Sequence, residues 1–454
     1  MDYAETLTYL DTFVNLERQV PTHLTPLTIT LDRVRELAAR LGNPHDRFAS
    51  LHVAGTKGKG STCAFAAAIL AATGLKTGLY TSPHLQDIRE RITINGRLIS
   101  QAEFAGLLEP CVPALEAMRH PPLGQRRPTY FEVLTHLAFS WFAAEQVDVA
   151  VVEVGLGGRL DATNIITPLA CGITNISFDH QVMLGNTLAL IAREKAGIMK
   201  KGVPVVIAPQ AAAAAQALEE RAREVGAPCE LVGRDIRCAA AAPVARRPDA
   251  CAAEDAWPLP QAHLELPGGT AFDAELGLRG GHQVENWAVA VRLADLCCLK
   301  RNGAHVAAHA VREGSRTVRW PGRLEKAGPR LFLDGAHNDH SLRTVLREML
   351  PHVGTPLVLF ACAKDKDAAA MLKVLAEAGV SRIVFTHSGS SRSMDPQELA
   401  RLWKEQTGRD APAYVSCAEA LAAARGAAGE DTALLVAGSL YLVGAVKDIL
   451  DPRA

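Results

Sequence analysis

The sequence predicts an α/β protein of two domains, each built on a mainly parallel sheet, and three observations carry that expectation. At 454 residues the chain is too long for one ordinary core. The run Val147-Asp148-Val149-Ala150-Val151-Val152-Glu153-Val154 is nearly continuous in valine, as a parallel strand covered on both faces should be. Short apolar runs ending in Gly or a polar residue alternate with helical patterns over most of the length.

In chain order, Leu51-His52-Val53-Ala54 is a strand that runs into the Gly-rich segment Gly55-Thr56-Lys57-Gly58-Lys59-Gly60-Ser61. Thr62 to Thr73 reads as an Ala-rich buried helix, and Thr77 to Tyr80, Cys171 to Thr174 and Val203 to Ile207 as further strands. Cys238 to Gln261 is rich in Ala and Pro with little periodicity, so a surface excursion or a short antiparallel insert is expected there. Alternation resumes near Arg319. Strands are expected at 330–333, 356–360, 382–385 and 434–437, separated by helices near 341–350, 367–379, 396–407 and 417–427. The turn Arg319-Trp320-Pro321-Gly322-Arg323 marks the boundary, dividing the chain into 1–317 and 318–454.

Composition narrows the function. Hydrophobic residues make up 48% and charged residues 21%, the balance of a globular protein. Lys+Arg 48 against Asp+Glu 49 leaves a net charge of -1, so no general positive field exists to hold nucleic acid. The N-terminus lacks the pattern of a signal peptide, and no apolar run is long enough to span a bilayer. The ten cysteines show no Cys-x-x-Cys spacing and read as reduced thiols. A cytoplasmic monomer that engages neither nucleic acid nor membrane is the expectation.

The Gly55–Ser61 segment joins a strand to a helix, where backbone N–H groups and a helix N-terminus meet phosphate oxygens. It departs from the G-x-x-x-x-G-K-[ST] pattern, because Val53 stands at the first Gly position and Gly60 separates Lys59 from Ser61. A flexible surface turn is the competing reading; the flanking strand and helix favour phosphate. Glu153 closes the valine strand and precedes the glycines of Gly155-Leu156-Gly157-Gly158-Arg159-Leu160-Asp161-Ala162-Thr163-Asn164. Open α/β sheets bind ligands at such strand ends. Asp179-His180 is expected just beyond another strand, and Asp334-Gly335-Ala336-His337-Asn338 follows a strand of the second half. Two ligand-facing edges, one per domain, describe a cleft that one domain closes over.

Nine blocks then occur together and in order: Gly55 to Ser61, Thr81-Ser82-Pro83-His84, Tyr130-Phe131-Glu132, Glu153 to Asn164, Asp179-His180, Glu194-Lys195-Ala196-Gly197-Ile198, Gly281-His282-Gln283, Pro321-Gly322-Arg323 and Asp334 to Asn338. The set resembles the folylpolyglutamate synthase/dihydrofolate synthase family of Mur-type amide ligases, over about residues 30 to 445. The resemblance implies a P-loop-type parallel-sheet ATP-binding domain and a smaller Rossmann-like C-terminal domain. It implies addition of L-glutamate to a folate or dihydropteroate carboxylate through an acyl phosphate, with ATP, Mg2+ and a monovalent cation such as K+. On the same basis Gly58, Lys59, Gly60 and Ser61 contact ATP phosphates, while Asn286, Arg323 and Asp334 hold the base and ribose side, with His337 nearby as a catalytic candidate. Ser82, Glu153 and His180 serve magnesium. Lys195 matches a carbamylated lysine. Thr129, Tyr130, Phe131 and Glu132 with Leu160, Asp161 and Ala162 line the pterin pocket.

Two departures stand out. Asp339 follows Asn338 where the family commonly has Pro, and Thr30 in Thr28-Ile29-Thr30-Leu31-Asp32-Arg33 replaces a usual Gly. The latter segment serves dihydropteroate in bifunctional members, so dihydrofolate synthase activity is less directly implied than glutamate addition. A Mur-type ligase acting on a UDP-linked precursor is the nearest rival, but only 54 residues precede Gly55, too few for a UDP-binding domain of roughly a hundred residues. A non-catalytic nucleotide-binding module is the alternative outside enzymes.

Overall fold

A computed structural model describes residues 1–17, 30–119, 127–241 and 257–451. Thr28 and Ile29, and 242–256 of the Ala/Pro-rich segment, lie outside the described residues. The first eight strands are β1 (Ala49–Ala54), β2 (Thr77–Tyr80), β3 (Ile92–Ile94), β4 (Arg97–Leu98), β5 (Val149–Glu153), β6 (Ala170–Ile173), β7 (Val205–Ile207) and β8 (Cys229–Leu231). They form one sheet in the order β4-β3-β2-β5-β1-β6-β7-β8, parallel except for the antiparallel edge β3 and β4.

The valine strand is β5, beside β1 at the centre. Its side chains alternate between two cores. Val149 and Val151 pack on one face with the helix Lys59–Ala72 and the helix His282–Asn302. Ala150 and Val152 pack on the other with the helix Tyr130–Ala144. Both faces are covered, so both halves of the alternation are apolar and the run reads as continuous. The expected strand 203–207 begins only at Val205, because Pro204 has no N–H to give the ladder, although its carbonyl still accepts from Cys171 N–H at 2.9 Å.

The insert expectation holds at the edges of the Ala/Pro-rich segment. β9 (Arg237–Ala241), β10 (Gln261–Glu265) and β11 (Ala271–Glu275) pair antiparallel in the order β11-β10-β9. This small sheet joins the core beneath the helix His282–Asn302.

The third sheet holds β12 (Glu325–Gly328), β13 (Leu331–Leu333), β14 (Leu357–Phe360), β15 (Ile383–Thr386), β16 (Ala413–Tyr414) and β17 (Leu434–Ala437) in the order β12-β13-β17-β14-β15-β16. All its pairings are parallel but the edge pair β12 and β13. Helices Asp339–Val353, Ala368–Glu377, Pro396–Thr407 and Cys417–Ala428 separate the strands where the helical patterns fall. The cysteines among the described residues are free thiols, and no described helix is long and apolar enough to cross a membrane.

The helix that carries the Gly-rich loop is locked from its far side by the helix Ala308–Thr317. A Cβ on Gly314 would lie 2.5 Å from the Ile69 backbone N and Cα, so the two helices touch main chain to side-chain-free surface. Gly314→Ala should therefore destabilise the protein by about 1–3 kcal/mol. Gly106, inside the helix Gln101–Leu108, has nothing within 4 Å of its own Cβ position. Gly106→Ala should be neutral or stabilising by up to about 1 kcal/mol. Urea midpoints of the two variants test the contrast, and equal shifts would contradict it.

Candidate active site

The segment Gly55–Ser61 leaves the end of β1 and enters the helix at Lys59, three residues before the expected start. Its glycines are required by neighbours as much as by conformation. A Cβ on Gly55 would lie 1.8 Å from Thr174 Oγ1, and one on Gly58 2.2 Å from Asn286 Oδ1. Gly60, the residue that breaks the nucleotide pattern, faces the Trp320 indole, where a Cβ would lie 2.8 Å from the ring. The inserted glycine thus lets the linker tryptophan rest on the loop. The segment is tied to β6 as well, since Thr56 and Lys57 N–H both donate to the Asn175 carbonyl, at 2.9 and 3.2 Å.

Charge gathers around this loop. Glu153, at the tip of β5, is 4% exposed. Its nearest cation is the Lys59 ammonium at 4.0 Å, and the Ser82 N–H donates to its other oxygen at 3.2 Å. Burial pushes the Glu153 carboxyl up, with Lys59 opposing. Lys57 pairs with Asp179 at 3.2 Å. Burial would raise the Asp179 carboxyl too, but Lys57 and His180 outweigh it and hold it at about 2. His180 lies farther from β6 than the sequence implied, with five residues between Ile173 and Asp179. It stands at the N-cap position of the short helix Gln181–Leu184 in a left-handed conformation, half exposed, with Nε2 3.7 Å from Asp179 Oδ1. Ser82 and Glu153 are in contact; His180 shares their cleft, and its recorded partner is Asp179.

Lys195 ends the helix Leu188–Lys195 and lies beneath the loop. It is buried, and its Nζ donates to the Gly55 carbonyl at 2.8 Å. Burial first, and the Lys59 charge second, lower its pKa to about 7.

On the other side of Glu153, Thr129 and Glu132 close a capping box on the helix Tyr130–Ala144, and Arg33 holds Glu132 at 2.8 Å. Phe131 lies over Gly155, where a Cβ would meet the ring at 2.6 Å. Tyr130 departs from the expected pocket lining. It is 4% exposed and packs among Tyr80, Val133 and Leu134, because one helical step of about 100° turns it from the cleft-facing side of its neighbours. Leu160, Asp161 and Ala162 line the cleft together with Thr129, Phe131 and Glu132.

The second sheet supplies the far wall. Asp334 is 6% exposed and accepts from Leu324 and Ala336 N–H, both at 2.8 Å, which fastens the linker turn to the end of β13. Burial raises its carboxyl, with Arg323 opposing. The His337 Nδ1–H donates to the Gly335 carbonyl at 2.9 Å, leaving Nε2 as an acceptor. Burial, then the Lys57 charge, bring that imidazole down to about 4, so it is neutral at physiological pH. Asn286 donates to Gln283 at 2.9 Å while covering Gly58. The resulting cleft, about 1880 Å³, runs from Thr129 and Leu160 past Lys59 and Glu153 to Arg323 and His337. That exceeds the roughly 300–1,000 Å³ of a single small-ligand pocket and leaves room for two substrates. The Lys57–Asp179 pair and the Trp320–Gly60 contact escape sequence reading. Each joins residues far apart in the chain, and only the position of Lys57 inside the loop hints at either.

Residues 53–294 match the Mur ligase middle domain and residues 322–440 the Mur ligase glutamate ligase domain. The dihydrofolate synthase/folylpolyglutamate synthase of Bacillus subtilis is 34% identical over 427 residues, covering 92% of this chain and 94% of its own. Among solved structures, a folylpolyglutamate synthase from Mycobacterium tuberculosis complexed with ADP and AMPPCP superposes with a TM-score of 0.84 at 30% identity, over 100% of both chains. A folylpolyglutamate synthase–AMPPCP–folate complex gives 0.78 at 29% identity, over 99% of this chain and 100% of that one. Matched through both halves and over nearly its whole length, the chain belongs to the folylpolyglutamate synthase/dihydrofolate synthase family of Mur ligases.

Proposed function

We propose that the protein is an ATP-dependent ligase that joins L-glutamate to the carboxylate of a folate-type substrate, extending tetrahydrofolate and converting dihydropteroate to dihydrofolate. The observation that carries this reading is one continuous cleft. It brings the Thr56–Ser61 loop, the tip of β5, the Thr129 and Leu160–Ala162 walls and the Asp334–His337 turn to a common space. Relatives named for both activities, and a neighbour complexed with AMPPCP and folate, support it. We place the hinge between the two working halves at 317/318, where Trp320 of the linker rests on Gly60.

A carboxylate is a poor electrophile, so its oxygen first takes a phosphoryl group from ATP, releasing ADP. The glutamate amine then attacks the acyl carbon, phosphate leaves, and the amine loses a proton as the amide forms. The chain supplies position and charge for these steps. Gly58, Lys59, Gly60 and Ser61 offer backbone N–H groups and an ammonium to phosphate oxygens. Asn286, Arg323 and Asp334 border the nucleotide's base and ribose. His337, neutral and with Nε2 free to accept, is placed to receive a hydrogen bond from the incoming amine.

The donors fit magnesium. Glu153 is a buried carboxylate whose nearest cation is 4.0 Å away, with Ser82 against it and His180 in the same cleft. Among the described residues no three His, Cys, Asp or Glu side chains form a ready cage. That suits an ion which keeps waters and takes much of its coordination from phosphates. When bound, magnesium neutralises phosphate charge and orients the transferred group.

ATP hydrolysis should require both a folate or dihydropteroate and L-glutamate, with a glutamate-extended product by mass spectrometry. Turnover that ignores both substrates contradicts the ligase reading. Lys59→Ala should lower coupled turnover at least about a hundredfold by removing the phosphate-facing charge. Unchanged turnover would reduce the loop to a structural turn.

Lys195 is proposed to react with carbon dioxide, turning a cation into an anion able to orient a metal's water ligands. Only the free amine reacts, and a pKa of about 7 makes that form plentiful above neutrality and scarce below it. Labelled bicarbonate should therefore give a carbon-13 carbamate signal that grows as pH rises through about 7 and is missing in Lys195→Ala. A signal that persists in the variant would contradict the assignment.

A further inference from the structure

Beneath the Gly155–Ala162 loop, β1 carries a histidine where its neighbours Leu51 and Val53 are apolar. His52 is fully buried, paired in register with Val152 on one side and Cys171 on the other. Burying an imidazole in such a layer is costly unless its polar atoms are paired. His52 Nε2 lies 2.8 Å from Thr163 Oγ1. Thr163 Oγ1 lies 2.5 Å from Asp161 Oδ1, and the Thr163 N–H donates to that same oxygen at 3.0 Å. Leu156 N–H donates to Asp161 Oδ2, also at 3.0 Å.

Donor arithmetic fixes the direction of this chain. An ionised carboxylate only accepts, so the single Thr163 hydroxyl hydrogen points to Asp161. The hydroxyl's lone pair must then accept, which places the imidazole hydrogen on His52 Nε2. Nδ1, which has no hydrogen-bond partner among the described residues, keeps the lone pair. Burial, with Lys200 adding to it, brings His52 down to about 3, so the ring has one hydrogen to place. At the other end, burial pushes the Asp161 carboxyl up and the Thr163 and Leu156 donors pull it back. The Asp161 side of the chain faces the cleft.

We propose that His52 and Thr163 are positioning residues for the folate side of the cleft. Through the Thr163 hydroxyl, His52 Nε2–H holds Asp161 as an ionised, oriented acceptor for N–H donors on the aminopyrimidine edge of the substrate. The proposal rests on the reading that this cleft takes a folate. Without the hydroxyl, Asp161 Oδ1 loses a donor and the carboxyl protonates more readily. Its proton then opposes the ligand's N–H groups rather than accepting them.

Thr163→Val, Thr163→Ser and His52→Phe, assayed with tetrahydrofolate, ATP and glutamate, test it. Thr163→Val should raise the KM for tetrahydrofolate at least about tenfold, the loss of one hydrogen bond to a charged group, with the KM for ATP within about twofold. Thr163→Ser should return the folate KM to within about threefold of the parent, and His52→Phe should move it in the direction of Thr163→Val. An unchanged folate KM in Thr163→Val, or parallel rises for folate and ATP, would overturn the proposal, the latter by exposing a purely structural role. The nitrogen-15 spectrum of the unsubstituted protein gives a second test that survives misfolding of any variant. His52 should be neutral and protonated on Nε2 across neutral pH; an Nδ1-protonated or cationic ring would overturn the chain. If the unsubstituted protein shows no folate-dependent turnover, the folate reading itself fails, a result distinct from loss of the Nε2 tautomer.

Discussion

A carboxylate at the tip of the central sheet, 4% exposed and 4.0 Å from its nearest ammonium, sets the terms for everything around it. Glu153 is placed there because β5 is buried on both faces, so its last residue emerges where the Gly-rich loop leaves β1. A buried charge with so distant a partner costs several kcal/mol. The costs are offset only by groups that converge on the same point. Lys59 comes from the loop and the Ser82 N–H from the segment after β2, and on the proposed function a hard divalent ion with its phosphate ligands would complete the balance. Lys57 and Asp179 form a closer pair one step outward, at 3.2 Å, which offsets part of the charge that Lys57 brings beside Lys59.

The loop itself is held by packing from three directions. Thr174 stands against Gly55, Asn286 over Gly58 and Trp320 over Gly60. Asn286 belongs to the helix His282–Asn302, and Trp320 to the turn before Arg323. A shift of the C-terminal half is therefore felt directly by the backbone of the Gly-rich loop. Asp334 works in the same direction. By accepting from Leu324 and Ala336 it makes the linker turn and the His337 turn one rigid piece.

The central strands and the strand-end residues were legible because both obey local rules. A doubly covered strand is a continuous apolar run, and a parallel sheet puts its cleft-facing residues at the ends of such runs, as at Glu153 and Asp334. The edges were not legible. β3, β4, β8, β12 and β16 are two to four residues long, too short to show a period. The antiparallel sheet of β9, β10 and β11 was legible only as one of two readings, a short insert without located strands, since one of its connections is the Ala- and Pro-rich stretch. Within the site, Tyr130 was misjudged because a motif names residues without their helical phase. Lys195 stood out by resemblance alone; its burial and its bond to Gly55 show only in the fold. His52 looked like one more strand residue, and only the fold brings it to Thr163.

The most direct test of the account follows oxygen. With both carboxylate oxygens of the folate substrate labelled with oxygen-18, activation by phosphoryl transfer should move one labelled oxygen into inorganic phosphate for each amide formed. Phosphate released without label, at a rate matching amide formation, would contradict the account, because the carboxylate would then never have been joined to the phosphate that leaves.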